Sequence, residues 1–130
     1  MQPAPFVFAL VAGALIGAVG WPSVRRLSRY EVSGQSMTPA LDDSDWILVD
    51  RGAYRHALPR PGHVVLARDP RDPSRQVVKR VLDVDLHDGV WIEGDNREQS
   101  SDSRHYGAVP RSLILGRVRW RYWPRPGAVR

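Results

Sequence analysis

Cysteine is absent from the 130-residue chain, so no disulfide framework, thiolate metal site or cysteine nucleophile is available to it. Lysine is nearly absent as well: of 19 basic residues one is Lys79, and the remaining 18 (19 − 1) are arginine. Arginine can serve every surface charge and ion pair, but its guanidinium stays protonated and cannot accept a proton. A lone lysine in such a chain is therefore a candidate base. The plain alternative is a composition bias toward arginine that leaves the position of the lysine arbitrary.

Charge is missing from Phe6 to Trp21 ("FVFALVAGALIGAVGW"). The stretch reads as an uncleaved anchor or a loosely attached helix, although it falls short of the ~20 apolar residues that span a bilayer comfortably. Met1–Pro5 contains no Lys or Arg, which disfavours a cleaved secretory leader. Arg25, Arg26 and Arg29 follow at once, and because basic flanks favour the cytoplasmic side, the rest of the chain is expected inside. Residues 1–27 are thus read as an anchor with a basic flank and 28–130 as the folded domain.

The formal net charge is +5, yet the arginines are scattered from Arg25 to Arg130 and often alternate with apolar residues. That pattern describes the wet face of strands rather than a nucleic-acid stripe, and no nucleic-acid partner is expected. An apolar fraction of 42% suits one domain with a real core. Beyond Ser28 the chain runs in short β-type segments: "YEV", "DWILVD", "HVVLA", "QVVKRVLDV", "GVWIEG" and "SLILGRVRWRYW", broken by Pro, Gly and Asp. A mainly β, barrel-like domain is the natural reading. In the last segment Val118, Trp120 and Tyr122 alternate with Arg117, Arg119 and Arg121, predicting a half-buried strand. Arg68–Arg75 ("RDPRDPSR") and Arg51–Gly62 are expected to be loops.

Chemistry concentrates in "VSGQSMTPAL" (Val32–Leu41), "VVKRV" (Val77–Val81) and "GDNREQSSDSRHYG" (Gly94–Gly107). Ser36 lies in a Gly-containing turn ahead of Pro39, where a hydroxyl can project and backbone N–H groups can face a developing oxyanion. Such serines are, taken singly, more often turn formers. Strand alternation puts Lys79 on one face with Val77 and Val81, where burial would lower its pKa and let a neutral amine take a serine proton. A snorkelling strand lysine is the competing reading. His56, His63, His87 and His105 fit no triad signature and are assigned to loops or surface. "DSR" could equally be a local ion pair.

Together the three segments resemble the signal peptidase I family of Ser/Lys endopeptidases, whose motifs run SM-x-P-T-L, then K-R-V, then G-D-N-x-x-x-S-x-D-S-R. The likeness covers Tyr30 to Tyr122, keeps the motif order, and matches the last motif at Gly94, Asp95, Asn96, Ser100, Asp102, Ser103 and Arg104. The resemblance implies a signal-peptidase-like β-barrel or sandwich, Ser36 as nucleophile, Lys79 as general base and Ser100 as the hydroxyl orienting its amine. It further implies a supporting ion-pair network of Asp102, Arg104 and Arg80, and an oxyanion site at the Ser36 N–H and around Gly34. Some family members supply a second hydroxyl at that position, which this chain lacks; Ser33 is one place too early. An extended substrate with small residues before the scissile bond would meet Tyr30, Val32, Met37, Leu41, Val77 and Val78. No cofactor or metal is called for.

The sequence departs from the family pattern at Ala40, where Thr is usual, and in the short Val81–Glu93 connection, which leaves no room for a second β domain. Small relatives that mature nickel-type superoxide dismutase share the three motifs and a C-terminal "RYWP", matched at Arg121–Pro124. The resemblance accordingly implies removal of an N-terminal leader from a precursor, with nickel-type superoxide dismutase as the specific expectation. General leader cleavage of exported proteins is the alternative. A LexA-like self-cleaving domain shares the "G-x-S-M" turn and "V-K-R" strand but lacks the third segment. An inactive β-module that binds peptides at a strand edge is the non-enzymatic rival.

Overall fold

The computed structural model describes residues 26–130. The helix expected over residues 6–21 and the flanking Arg25 lie outside the described residues. Seven strands build one antiparallel sheet: β1 (Leu27–Glu31), β2 (Trp46–Asp50), β3 (Val64–Asp69), β4 (Asp72–Val84), β5 (Val90–Glu93), β6 (Ile114–Trp123) and β7 (Gly127–Ala128). Their order is β1-β2-β6-β3-β4-β5, with β7 added to β6. A four-residue helix, α1 (Ser103–Tyr106), and two 3-10 turns at Arg97–Gln99 and Arg111–Leu113 complete the described elements. None of the described helices is long and apolar enough to cross a membrane.

The β-rich expectation is met because β-branched runs pack well on a pleated sheet and alternate across it. The central strand β3 shows the consequence. Val64 and Leu66 enter one cluster with Val32, Met37, Leu41, Ile47, Val49, Val78 and Val118, while Val65 and Ala67 enter a second with Val81, Val90, Ile92 and Val109. Both faces of β3 are therefore covered, and β4 beside it inherits the same division: Val78 faces the first cluster, and Val77 and Val81 the second.

The path leaves a gap that matters for function. β4 pairs with β3 along its length, from Asp69↔Asp72 to Val64↔Arg80, but with β5 only from Arg80 onward. Its segment before Arg80 thus keeps one free edge. β1, at the end of the sheet path, pairs only with β2. The sheet curls until these two edges approach, and the Tyr30 hydroxyl donates to the Gln76 carbonyl at 3.2 Å.

Two local expectations need correction. Arg68–Asp69 and Asp72–Arg75 are not loop but the end of β3 and the start of β4; the hairpin extends to a turn at Pro70–Arg71, and Pro73 is tolerated because its edge carries no further strand. A register shift between Arg68 and Asp69 takes up the extra residues. In β6 only Val118 of the apolar row is fully buried, Trp120 being 42% exposed, because the strand runs past the core toward β7. Arg121 on the opposite row is drawn inward by Asp45, at 3.2 Å.

Candidate active site

The turn carrying Ser36 is anchored from below. Met37 and Leu41 are buried in the first core cluster, so the residue before Met37 is held at the rim, where Ser36 is half-buried. Gly34 adopts φ +88°, a conformation that disfavours any side chain, and its N–H donates to Asp43 Oδ1 at 2.7 Å. From the opposite side Asn96 grips the same turn: its N–H donates to the Ser36 carbonyl at 2.9 Å, and its amide donates to Gln35 O and Thr38 Oγ1. Burial of two apolar anchors and three hydrogen bonds from one asparagine leave this turn little freedom.

Lys79 sits opposite Val65 in the β3–β4 ladder and is 4% exposed. Its Nζ donates to Ser100 Oγ at 2.9 Å. The Ser100 hydroxyl donates in turn to Asp102 Oδ2 at 2.5 Å and accepts from the Gly94 N–H at 3.2 Å. Gly94 also donates to Asp102 Oδ2 at 3.0 Å, and the fit is close: a Cβ on Gly94 would clash with Ser100 Oγ and stand 2.6 Å from the Ser36 carbonyl. Asp102, wholly buried, caps α1 and receives Arg104 Nε at 2.9 Å and Nη2 at 3.0 Å. The third segment is therefore a clamp whose inner end is the Ser100 hydroxyl and whose outer end is the Arg104 guanidinium.

The electrostatics follow from this burial. Desolvation pushes the Lys79 ammonium down to about 8, and Arg75 and Arg104 push the same way, against the raising pull of Asp102 and Asp69. Burial alone would raise the Asp102 pKa; hydrogen bonds from Arg104, Ser100 and the Gly94 N–H outweigh it and hold the carboxyl well below its ordinary range. An amine of this kind is partly neutral near neutral pH, next to a fixed carboxylate that does not itself titrate there.

Ser36 and Lys79 line one cavity of about 240 Å³, together with Tyr30, Val32, Gly34, Val77 and Val78. Among the described residues no hydrogen bond joins Ser36 to Lys79; the lysine is held by Ser100. The cavity lies at the gap between β1 and the free edge of β4. Met37 and Leu41, expected on its wall, are instead core anchors beneath the turn, since both are fully buried. Arg80, expected to join Asp102 and Arg104, makes a separate bidentate pair with Asp95 at 2.8 Å and 2.8 Å, because strand alternation turns it away from Lys79. Sequence reasoning missed Arg75, Gln76, Gln99 and Ser101, which also border the cavity. Arg75 and Gln76 flank the "VVKRV" run in sequence, and the extended reading of that run was the available signal.

A buried lysine amine tied to Ser100 thus lines the same cavity as the turn-borne Ser36. The family model described as signal peptidase, peptidase S26, matches residues 6–85 and 86–123. The chain belongs to that family. It is 39% identical, over a 120-residue alignment covering 75% of this chain and 71% of the relative, to mitochondrial ATP-independent inner membrane protease subunit 1a of Arabidopsis thaliana. It is 32% identical to the human mitochondrial inner membrane protease subunit 1, covering 71% and 67%, and 35% identical to the Schizosaccharomyces pombe subunit 1, covering 72% and 72%. These relatives are inner membrane proteases by name. The nickel-type superoxide dismutase precursor expected as substrate finds no support among them.

Proposed function

We propose that the protein is a serine endopeptidase that removes N-terminal leaders from precursor proteins, with Ser36 as nucleophile and Lys79 as general base. The observation that carries this reading is the buried Lys79 amine, held at 2.9 Å by Ser100 in the cavity that Ser36 lines. Ser36 Oγ attacks the scissile carbonyl carbon while its proton passes to neutral Lys79 Nζ. The oxyanion so formed is met by the Ser36 backbone N–H. The Gly34 N–H is engaged by Asp43, so Gly34 contributes the shape of the turn. Collapse of the intermediate breaks the C–N bond, and the Lys79 ammonium protonates the leaving amine. A water, deprotonated by Lys79, then attacks the acyl ester, releasing a carboxylate and restoring Ser36.

In this reading Ser100, Asp102 and Arg104 are positioning residues that aim the amine, and Arg80–Asp95 braces the strand end. The free edge of β4 before Arg80 and the facing edge of β1 support an extended substrate laid between them, with Tyr30, Val32, Val77 and Val78 shaping shallow apolar subsites. The basic flank at Arg25, Arg26 and Arg29 favours a catalytic domain on the cytoplasmic side of the membrane; a reporter fused after Arg130 reads the side directly. The activity is tested by incubating the full chain with a leader-bearing precursor and sequencing the new N-terminus. Cleavage that vanishes in both Ser36→Ala and Lys79→Arg is expected, and cleavage persisting in either variant would refute the assignment.

A further inference from the structure

A second cavity, of about 210 Å³, shares no lining residue with the first. It lies between the Arg51–Gly62 loop and β6, and its polar wall is made by Arg60, His63, Arg117 and Arg119, with Tyr54 and Leu58 supplying apolar surface. The loop is tied down: Arg111 Nη2 donates to the carbonyls of Tyr54, at 2.8 Å, and Ala57, at 3.2 Å. Tyr54 stacks on His63, ring centroids 5.9 Å apart.

The histidine tautomer follows from its neighbours. His63 Nδ1 receives the Arg60 backbone N–H at 3.3 Å and lies 2.9 Å from the Tyr54 hydroxyl, so Nδ1 is an acceptor and the ring proton resides on Nε2. Burial, then the charges of Arg117, Arg119 and Arg60, lower the His63 pKa, which keeps the ring neutral and in that tautomer. Every polar side chain not already engaged within the cavity wall is thus a donor. Arg119 lies 3.6 Å from the Asp50 carboxylate; among the described residues Arg60 and Arg117 make no ion pair. A hollow lined by three guanidiniums and an imidazole N–H, without a matching carboxylate for two of the three, suits a ligand made only of acceptors.

The geometry points to this cavity as a binding site for a phosphate group, carried either by free phosphate or by a lipid headgroup. Guanidinium forks match phosphate oxygens in pairs, and such charge-assisted bonds are about twice as strong as neutral ones. The apolar lip at Ala53, Ala57 and Leu58 accommodates the glycerol end of a lipid. The Arg51–Gly62 loop also lies against the start of β1: the Arg51 N–H donates to the Arg26 carbonyl at 2.8 Å, and the Arg26 side chain packs over Gly52. The cavity is therefore built on the segment that directly follows the uncharged N-terminal stretch.

The test is calorimetric titration of the full-length protein in uncharged, phosphate-free detergent micelles. One arm adds inorganic phosphate and the other micelles doped with phosphatidic acid, each against sodium chloride at matched ionic strength. Saturable binding in at least one arm is expected, with phosphate alone identifying the free ion and phosphatidic acid alone the headgroup. Affinity should fall at least tenfold in Arg60→Gln/Arg117→Gln and several-fold in Arg60→Gln, an exposed loop change that leaves β6 intact. Leader cleavage, which uses the other cavity, should be unchanged in Arg60→Gln. Heat no greater than that of chloride in both arms, or wild-type affinity in a folded Arg60→Gln/Arg117→Gln protein, would overturn the assignment.

Discussion

In the proposed mechanism the Lys79 amine makes the pH dependence of cleavage a direct probe of the site, and Arg75 is the residue through which to perturb it. With a pKa of about 8, roughly half of the amine is neutral at pH 8, about one molecule in ten at pH 7 and about one in a hundred at pH 6. The profile of kcat/KM should therefore rise tenfold per pH unit below about 8 and level off above it. Burial is the chief cause of the lowered value, and the charge of Arg75 adds to it. Arg75 is exposed at the cavity rim and, among the described residues, its side chain makes no hydrogen bond or ion pair, so Arg75→Gln removes the charge while leaving Lys79 buried. The loss of a like charge raises the lysine pKa, moving the rising limb to higher pH. Relative to its own plateau, reached by about pH 10, the variant should be slower at pH 7 than wild type is, a ratio that a pH-independent change in KM does not alter. The assay is cleavage of a quenched fluorescent leader peptide between pH 6 and pH 10. A limb that stays in place, or moves toward acid, would refute the argument that Lys79 is the titrating base.

Further outcomes follow from the same geometry. Lys79→Arg should keep the fold, by thermal unfolding, and lose at least about a thousandfold in kcat/KM, because a guanidinium cannot take the Ser36 proton. Lys79→Met should stabilise the protein. The folded-state pKa of about 8 lies below the ordinary lysine value of 10.5, so the unfolded chain binds more protons between these values; stability rises with pH across that window, and the full penalty is present below it. Removing the buried ammonium should gain about 1–3 kcal/mol at pH 7 and erase that rise, as read by urea unfolding at pH 7 and at about pH 10. Ser100→Ala should lower kcat more than KM by deleting the hydroxyl that holds Nζ. Gly94→Ala should cost about 1–3 kcal/mol and most of the activity together, since its Cβ would drive into Ser100 and the Ser36 carbonyl; denaturant melts and peptide cleavage measure the two losses.

Much of this fold was legible in the order of the residues. The run "HVVLA" is apolar from Val64 to Ala67 without a polar break, and the structure buries both sides of β3 as such a run requires. Period-two alternation put Lys79 on the face of Val77 and Val81, and that face is where it lies. The misreadings have physical causes. Asp72–Arg75 looks like loop because Pro and Asp disfavour strands, yet a hairpin can extend through them where one edge is unpaired. Met37 and Leu41 flank Ser36 closely, but a turn sends neighbouring side chains in different directions, and apolar ones go to the core. The choice between Asp95 and Asp102 as the partner of Arg80 depends on how the Gly94–Gly107 segment folds back on β4, which no local pattern encodes. The donor-lined hollow at His63 escapes sequence reasoning for the same reason, since it joins residues more than fifty positions apart.

The central claim, that Ser36 is acylated with the help of Lys79, is met most directly by a burst experiment with the p-nitrophenyl ester of a short N-acylated peptide ending in alanine. Acid-quenched samples are digested and weighed to locate the acyl group. The account predicts a stoichiometric burst of nitrophenolate with the acyl mass on Ser36, absent in Ser36→Ala and far slower in Lys79→Arg. An acyl group on another residue, or a burst that survives in Ser36→Ala, would contradict it.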